Sequence, residues 1–334
     1  MILVLSYSSY EQGTDPVIDW LLYYRASFIK LTFEDLFTRK MNYTVDFVNQ
    51  KMLINGTDYY PLIGTVWCRR FMERVSFRDY PNWPYTQAVE ELNRETEAYF
   101  DGLYFLLQEK KWLMNPRIGN INKLNVLRVA AQCGFSVPAT IITNSKQELI
   151  AFMSGGQKVI TKPVEFSGFY NAGSYTWAAY TTEVNAAMAA ALPEQFVYSL
   201  FQARVPAVYE IRVFYLDGAC YATAALFDTA TRHVDIKENY KADFLHWTNY
   251  SLPAPIREKI TRLMNKLKLN TGSIDLLMGT DNEYYFLEVN PGGQYSAPSD
   301  RGNHYVEKHI AEWLIRQDKL YNHEKERSGV LHHF

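Results

Sequence analysis

The chain has 334 residues, with 34 Lys and Arg against 36 Asp and Glu, a formal charge of −2. That length allows two or three domains, and the near-balance removes the global charge excess on which nucleic-acid and membrane-surface partners rely. No apolar run approaches the ~20 residues of a membrane span, and the N-terminal stretch has neither a basic region nor a small-residue cleavage site. Three cysteines, Cys68, Cys133 and Cys220, are too scattered for a disulfide framework or a zinc motif. The expectation is a cytoplasmic globular protein with reduced, buried thiols. The 25 Tyr and 19 Phe exceed what a minimal core needs, so some rings are candidate groove walls, although any single one is first a core residue.

In chain order, ILVLSYS (2–8) predicts a buried strand, and Thr14-Asp15-Pro16 a helix start ahead of VIDWLLYY. FIKLTF (28–33), YTVDFV (43–48), KMLI (51–54) and TVWC (65–68) predict further strands, with Asn55-Gly56 as a hairpin turn. Residues 85–111 predict a long helix with Val89, Leu92, Tyr99, Leu103 and Leu106 near a 3.6 period. Residues 1–114 thus read as a first α/β domain, closed by Asn115-Pro116. Next come a helix at 122–133, a strand at 139–142, a helix at 145–153, a strand at 157–163, and then strands to about residue 226. A polar stretch at 228–250 has no clear period. A helix at 254–268, strands at 272–278 and 283–290 and a helix at 303–317 finish the fold. This gives a central domain at 115–200, a C-terminal domain at 201–320 and a loosely held tail at 321–334.

The chemistry concentrates near the C-terminus. Glu288 and Asn290 in EYYFLEVN (283–290) are two apart on a strand, so they share a face, about 7 Å from each other. A tight turn at 280–282 makes an antiparallel hairpin with GSIDLLMG (272–279), which can bring Asp275 alongside. Three oxygen donors on one sheet face suit Mg²⁺, a hard ion usually held by one or two carboxylates plus substrate phosphates. The plain alternative is a solvated face with incidental charges. It is weakened by the apolar neighbours Leu276, Leu277, Phe286, Leu287 and Val289, among which an isolated carboxylate is costly. Pro291-Gly292-Gly293 then ends pairing and opens the backbone to close approach.

Cations accompany these donors. Lys123 stands at a helix start, and Lys162 lies in the apolar run QKVITKPV (157–164), where a lysine needs a partner such as a phosphate. The loop EFSGFYNAGSYTW (165–177) carries Gly168 and Gly173 and can close over phosphates through backbone N–H groups. It is not a Walker A pattern, and no G-x-G-x-x-G occurs. Glu210 and Arg212 share a strand face in VYEIRVFYLDG (208–218). Arg212 matches phosphate or carboxylate geometry, with a cross-strand salt bridge as the alternative. The seven histidines are scattered, and His304 and His309 miss the i, i+4 metal spacing.

The succession of Lys123, Lys162 with its Gly loop, SLFQARV, EIRV, Asp275 and LEVNPGGQY resembles the ATP-grasp ligases over residues 115–316. MILVLSYSSYEQGTDPVIDWL and VWCRR (66–70) extend the resemblance over nearly the whole chain to the grasp-with-spasm peptide maturases. These are relatives of the microviridin-type ligases, the graspetide synthetases. The resemblance implies an α/β (α+β) ATP-grasp fold: an N-terminal α/β pre-ATP-grasp domain, a central domain and a C-terminal ATP-grasp domain. It implies ATP and two Mg²⁺ as cofactors. Lys123 and Lys162 would contact phosphates, Lys162 also reaching the adenine side. Gln202, Ala203 and Val205 would lie at or after the hinge that receives adenine, and Glu210 would belong to the nucleotide site. Arg212 would act on the γ-phosphate or acyl phosphate, and Asp275, Glu288 and Asn290 would hold the metals.

The implied partner is a precursor peptide with a leader and an acidic core, and the implied assembly a homodimer or larger. The implied reaction joins acyl phosphates to Ser/Thr hydroxyls or Lys amines, forming macrocyclic esters or amides without a protein nucleophile. Positive ground for the core would come from Arg69 and Arg70, near Arg74 and Arg78, and from Lys237 and Lys241. A solvated face is the alternative for Arg69-Arg70. One departure stands out. Relatives often carry Asp-x-Arg in the polar stretch, and here it reads Asp235-Ile236-Lys237, which keeps the charge but loses the bidentate fork. A small-molecule ATP-grasp ligase of the glutathione-synthetase or glutamate-tailing kind is the second reading. A nucleotide-binding regulatory module without catalysis is the third, and the complete trio of Asp275, Glu288 and Asn290 argues against it.

Overall fold

The computed structural model describes residues 1–37, 41–71, 86–164, 169–172, 175–178, 181–227 and 245–327. Gly168, Gly173 and Lys237 fall outside these residues, as do Arg74, Arg78, Asp235 and Lys241.

The strand Ile2–Ser6 is buried along its whole length because both faces of its sheet are covered. Leu3 and Leu5 pack with the helix Thr86–Leu106 through Phe100, Leu103 and Tyr104. Ile2 and Val4 pack on the other side with Val17 and Leu21 of the helix Asp15–Tyr23 and Ile310 and Leu314 of the helix Val306–Arg327. The sheet is parallel, in the order Phe28–Thr32, Ile2–Ser6, Thr65–Cys68, Lys111–Leu113. A small antiparallel sheet, Tyr43–Asp46, Lys51–Ile54 and Thr57–Asp58, turns at Asn55-Gly56, both with positive φ, as the two-residue hairpin requires.

Two antiparallel sheets follow. One has four strands, in the order Thr182–Val184, Val159–Thr161, Gln195–Ala203, Thr140–Ser145. The other has five, in the order Leu245–Tyr250, Ala219–Phe227, Ala207–Leu216, Thr271–Gly279, Tyr284–Asn290. Residues 204–206 join them, pinned by Arg204 N–H to Lys158 O and Thr280 N–H to Pro206 O, both 2.8 Å. One face of the five-stranded sheet is apolar. Ile211, Val213, Ile274, Leu276, Phe286 and Val289 bury there against the helices Lys123–Gln132 and Ala254–Leu267.

Several elements differ from the sequence reading. The long helix ends at Leu106, and Lys111–Leu113 is the fourth strand of the parallel sheet, too short to show a period. The buried side of that helix is Thr96, Phe100, Leu103, Tyr104 and Leu106, which leaves Leu92 47% and Tyr99 66% exposed. Ala186–Ala191 is a helix capped by Asn185, and Ser296–Gly302 is a further helix. The polar stretch ends in the strand Leu245–Tyr250. The last helix continues to Arg327, because Asp318 binds the Met1 ammonium at 2.8 Å and the Tyr321 hydroxyl accepts from Lys110 Nζ at 3.0 Å.

Candidate active site

The reverse face of the five-stranded sheet is polar. Strand register sets Asn249, Thr223, Arg212, Asp275 and Glu288 side by side in one row across all five strands. Arg212 Nη1 lies 2.6 Å from Asp275 Oδ2, and its Nη2 lies 2.5 Å from Glu210 Oε1. Glu210, Arg212 and Asp275 are all largely withdrawn from solvent. At the sheet edge, Lys123 Nζ lies 3.2 Å from Glu288 Oε2, and Asn290 Nδ2 donates to Glu288 Oε1 at 3.2 Å. Lys123 opens the helix Lys123–Gln132, whose first free N–H groups are taken by the Asn122 side chain. That helix end adds its own positive dipole to the lysine.

A β-bulge makes this placement possible. Asp275 pairs with Glu288, but Leu276 pairs with Phe286, so Leu287 is skipped. Phe286 and Val289, three apart, therefore both enter the core, which strict alternation forbids. The bulge resets the phase and aims Glu288 and Asn290 at the polar face.

Three carboxylates, Glu210, Asp275 and Glu288, meet two cations, Arg212 and Lys123, leaving one negative charge in excess. Among the described residues no group of three or more His, Cys, Asp or Glu side chains converges as a metal cage. The donor set is two carboxylates and a carboxamide on adjacent strands. This fits Mg²⁺ that arrives with phosphate oxygens and waters, and not an ion held by protein alone.

No family model and no curated protein matches the chain. Solved structures do. The macrocyclase MdnC of Microcystis aeruginosa, solved with its precursor peptide MdnA, superposes with TM-score 0.81 at 21% identity, covering 95% of this chain and 99% of that one. The ATP-grasp ligase PsnB, solved with a minimal precursor, Mg and ADP, gives 0.75 at 17% identity, covering 95% and 98%. D-cycloserine synthetase DcsG gives 0.52 at 15% identity, covering 95% and 99%. The chain has the ATP-grasp fold.

The ATP-grasp frame locates the other expected residues. Gln202 is buried in the four-stranded sheet, its Nε2 donating to Thr140 Oγ1 at 2.8 Å. Ala203 ends that strand, and Val205 lies in the 204–206 connection between the two sheets. Lys162 is half-buried just beyond the strand Val159–Thr161, not within it, since pairing with Thr182 ends at Thr161.

Arg69 departs furthest from expectation. It is not on a basic surface but 4% exposed, with Nε 3.0 Å from Glu11 Oε2 and Nη1 donating to Gly292 O at 3.2 Å and Gly293 O at 3.0 Å. A side chain so enclosed offers no surface to a peptide. Arg70 is the exposed member of the pair, 3.7 Å from Glu11 Oε1. Burial works to raise the Glu11 carboxyl, but the Arg69 guanidinium, Thr14 and Arg70 outweigh it and hold the group below its ordinary range. Glu11, Thr223 and Tyr295 were not singled out from sequence. Each owes its place to partners distant in the chain, and no local pattern marks it.

Proposed function

We propose that this chain is an ATP-dependent ligase of the graspetide-synthetase kind. It activates acidic side chains of a ribosomal precursor peptide as acyl phosphates and joins them to Ser/Thr hydroxyls or Lys amines, closing macrocyclic esters or amides. The observation that carries the reading is the row Arg212–Asp275–Glu288, flanked by Lys123 and Asn290, on the polar face of an ATP-grasp sheet. A carboxylate lacks an acceptable leaving group. A phosphoryl group from ATP supplies one, and attack by a hydroxyl or amine then releases phosphate, with net loss of one water per link. Charge accumulates on the phosphoryl oxygens, so fixed cations and dipoles carry this catalysis.

In this reading Asp275, Glu288 and Asn290 would hold two Mg²⁺, which would supply neutralising charge for the phosphates. Lys123 and Lys162 bind phosphate oxygens, and Gly168 and Gly173, outside the described residues, are assigned to the same phosphates. Gln202, Ala203 and Val205 line the adenine end. Arg212 contacts the transferring phosphoryl group, and Glu210, in the nucleotide site beside it, holds its guanidinium through the 2.5 Å contact. Arg70 and Lys237 receive the acidic core. The thiols carry no disulfide, and with ATP as co-substrate the cytoplasm suits the reaction. Greater overlap with the peptide macrocyclase, 0.81 against 0.52 for the small-molecule enzyme, favours a peptide over a free amino acid as substrate.

The test is mass spectrometry of candidate precursor peptides incubated with the purified protein, ATP and Mg²⁺. Loss of one water per link supports the proposal. ADP release that occurs only with free amino acids would sink it in favour of a small-molecule ligase.

A further inference from the structure

We infer that Glu11 and Arg69 are positioning residues that fix the turn after Asn290, and so set how Asn290 and Glu288 meet a divalent cation; the inference rests on the nucleotide reading above. Arg69 follows the strand Thr65–Cys68, its N–H bonded to Leu5 O at 2.9 Å. It therefore stands where the two central strands of the parallel sheet end. The chain leaves those strands toward opposite faces, one helix packing with Ile2 and Val4 and the other with Leu3 and Leu5. Such a switch point opens a crevice beyond the carboxyl ends of the strands. Here Arg69 fills it.

The contacts cross from the first sheet to the metal-site hairpin in both directions. Arg69 spans two successive carbonyls, Gly292 O and Gly293 O, while its guanidinium lies 5.0 Å over the Tyr295 ring. The Tyr295 hydroxyl donates to Gly13 O, and Ser296 Oγ donates to Gln12 O at 2.9 Å. Glu11 holds the near side, accepting from Gly13 N–H at 3.0 Å and Thr14 Oγ1 at 2.8 Å in addition to Arg69. The path to the metal donors is then one residue long. Gly293 N–H bonds Asn290 O at 2.9 Å, and Asn290 pairs with Ser273 beside the Asp275–Glu288 pair.

The turn is tight at Gly293, though open at Gly292. A Cβ on Gly293 would lie 2.5 Å from Ser273 Cβ and 2.8 Å from Asn290 O. A Cβ on Gly13 would lie 2.2 Å from Arg69 Nη2. A buried ion pair is weak as a source of stability, because desolvation offsets its attraction. What it offers is direction, and only the guanidinium fork reaches one carboxylate and two carbonyls at once.

Four proteins decide the matter: the unsubstituted chain, Arg69→Lys, Glu11→Gln and Gly293→Ala. ADP binding is measured by calorimetry without Mg²⁺ and across a Mg²⁺ titration, with melting curves to establish folding. Arg69→Lys is expected to bind ADP normally without Mg²⁺ but to need about tenfold more Mg²⁺ for half-maximal enhancement, as loss of a metal's supporting shell does elsewhere. Glu11→Gln shifts the same way, by less. If Arg69→Lys fails to fold, Gly293→Ala keeps the ion pair, pushes the turn against Ser273 and Asn290 O and carries the same expectation. An unchanged Mg²⁺ requirement in the folded variants overturns the positioning role alone. Failure of the unsubstituted chain to bind ADP overturns the nucleotide reading and this inference with it.

Discussion

Arg212 and Asp275 face each other directly across neighbouring antiparallel strands, 2.6 Å apart and shielded from solvent. Removing Asp275 breaks this charge-assisted hydrogen bond but leaves Glu210 against Arg212 Nη2 at 2.5 Å, whereas a neutral isostere keeps a hydrogen bond. Asp275→Ala is therefore expected to cost about 1.5–3 kcal/mol of stability, and Asp275→Asn distinctly less. Urea denaturation of both variants checks this. Equal losses would mean that the Arg212 charge is satisfied without Asp275.

Glu288 and Asn290 make a separate prediction. Neither sits on the apolar face, so replacing them should spare the fold and remove the metal support proposed for them. Glu288→Gln and Asn290→Ala should each lower ATP-dependent turnover by on the order of 10²-fold or more, as loss of transition-state charge stabilisation does. Glu288→Gln also frees Lys123 from its 3.2 Å ion pair. Turnover near normal in both variants, with ADP release as the readout, would refute the site.

Much of this site was legible because its parts are local. Glu288, Asn290 and the Pro291-Gly292-Gly293 break sit in one hairpin with Asp275, and period-two geometry puts the first two on one face. Strand chemistry also marked Glu210 and Arg212. The bulge at Leu287 was not legible, because EYYFLEVN reads as an unbroken strand and only the core contacts of Phe286 and Val289 reveal the phase change. The tilt of the helix Thr86–Leu106 was missed for a related reason: its mixed faces offer Leu92 and Tyr99 as plausibly as Phe100 and Tyr104, and packing chooses. Arg69 reads as part of a basic run in sequence. Its partners are Glu11 and two carbonyls more than two hundred residues away.

His304 braces the far end of the polar row. Its Nε2 lies 2.9 Å from Ala222 O and 3.1 Å from Thr223 Oγ1, and its Nδ1 lies 3.5 Å from Asn249 Nδ2. Burial lowers its pKa below the ordinary 6.5, with a smaller push from His309 and an opposing hydrogen bond to Ala222. As pH falls through 6.5 the unfolded chain takes up the proton first. Stability is therefore complete above that value and declines below it, until the folded histidine also titrates. His304→Gln should flatten the dependence of melting temperature on pH between about 7 and 5. A slope identical to that of the unsubstituted protein would show that His304 does not supply it.

Cys68 gives a prediction about access. It is buried at the end of the strand Thr65–Cys68, and desolvation pushes its thiol up to about 12, against weaker help from Phe71 N–H and Tyr104. Cys220, half-buried, is raised to about 11, again by desolvation, with Arg257 opposing. The thiolate is the reactive form, so both should be slow toward an aromatic disulfide reagent at about pH 8. Labelling of Cys68 should track opening of the N-terminal sheet and accelerate with urea. Mass mapping of labelled peptides against time would separate the two sites, and fast labelling of Cys68 under native conditions would contradict its burial.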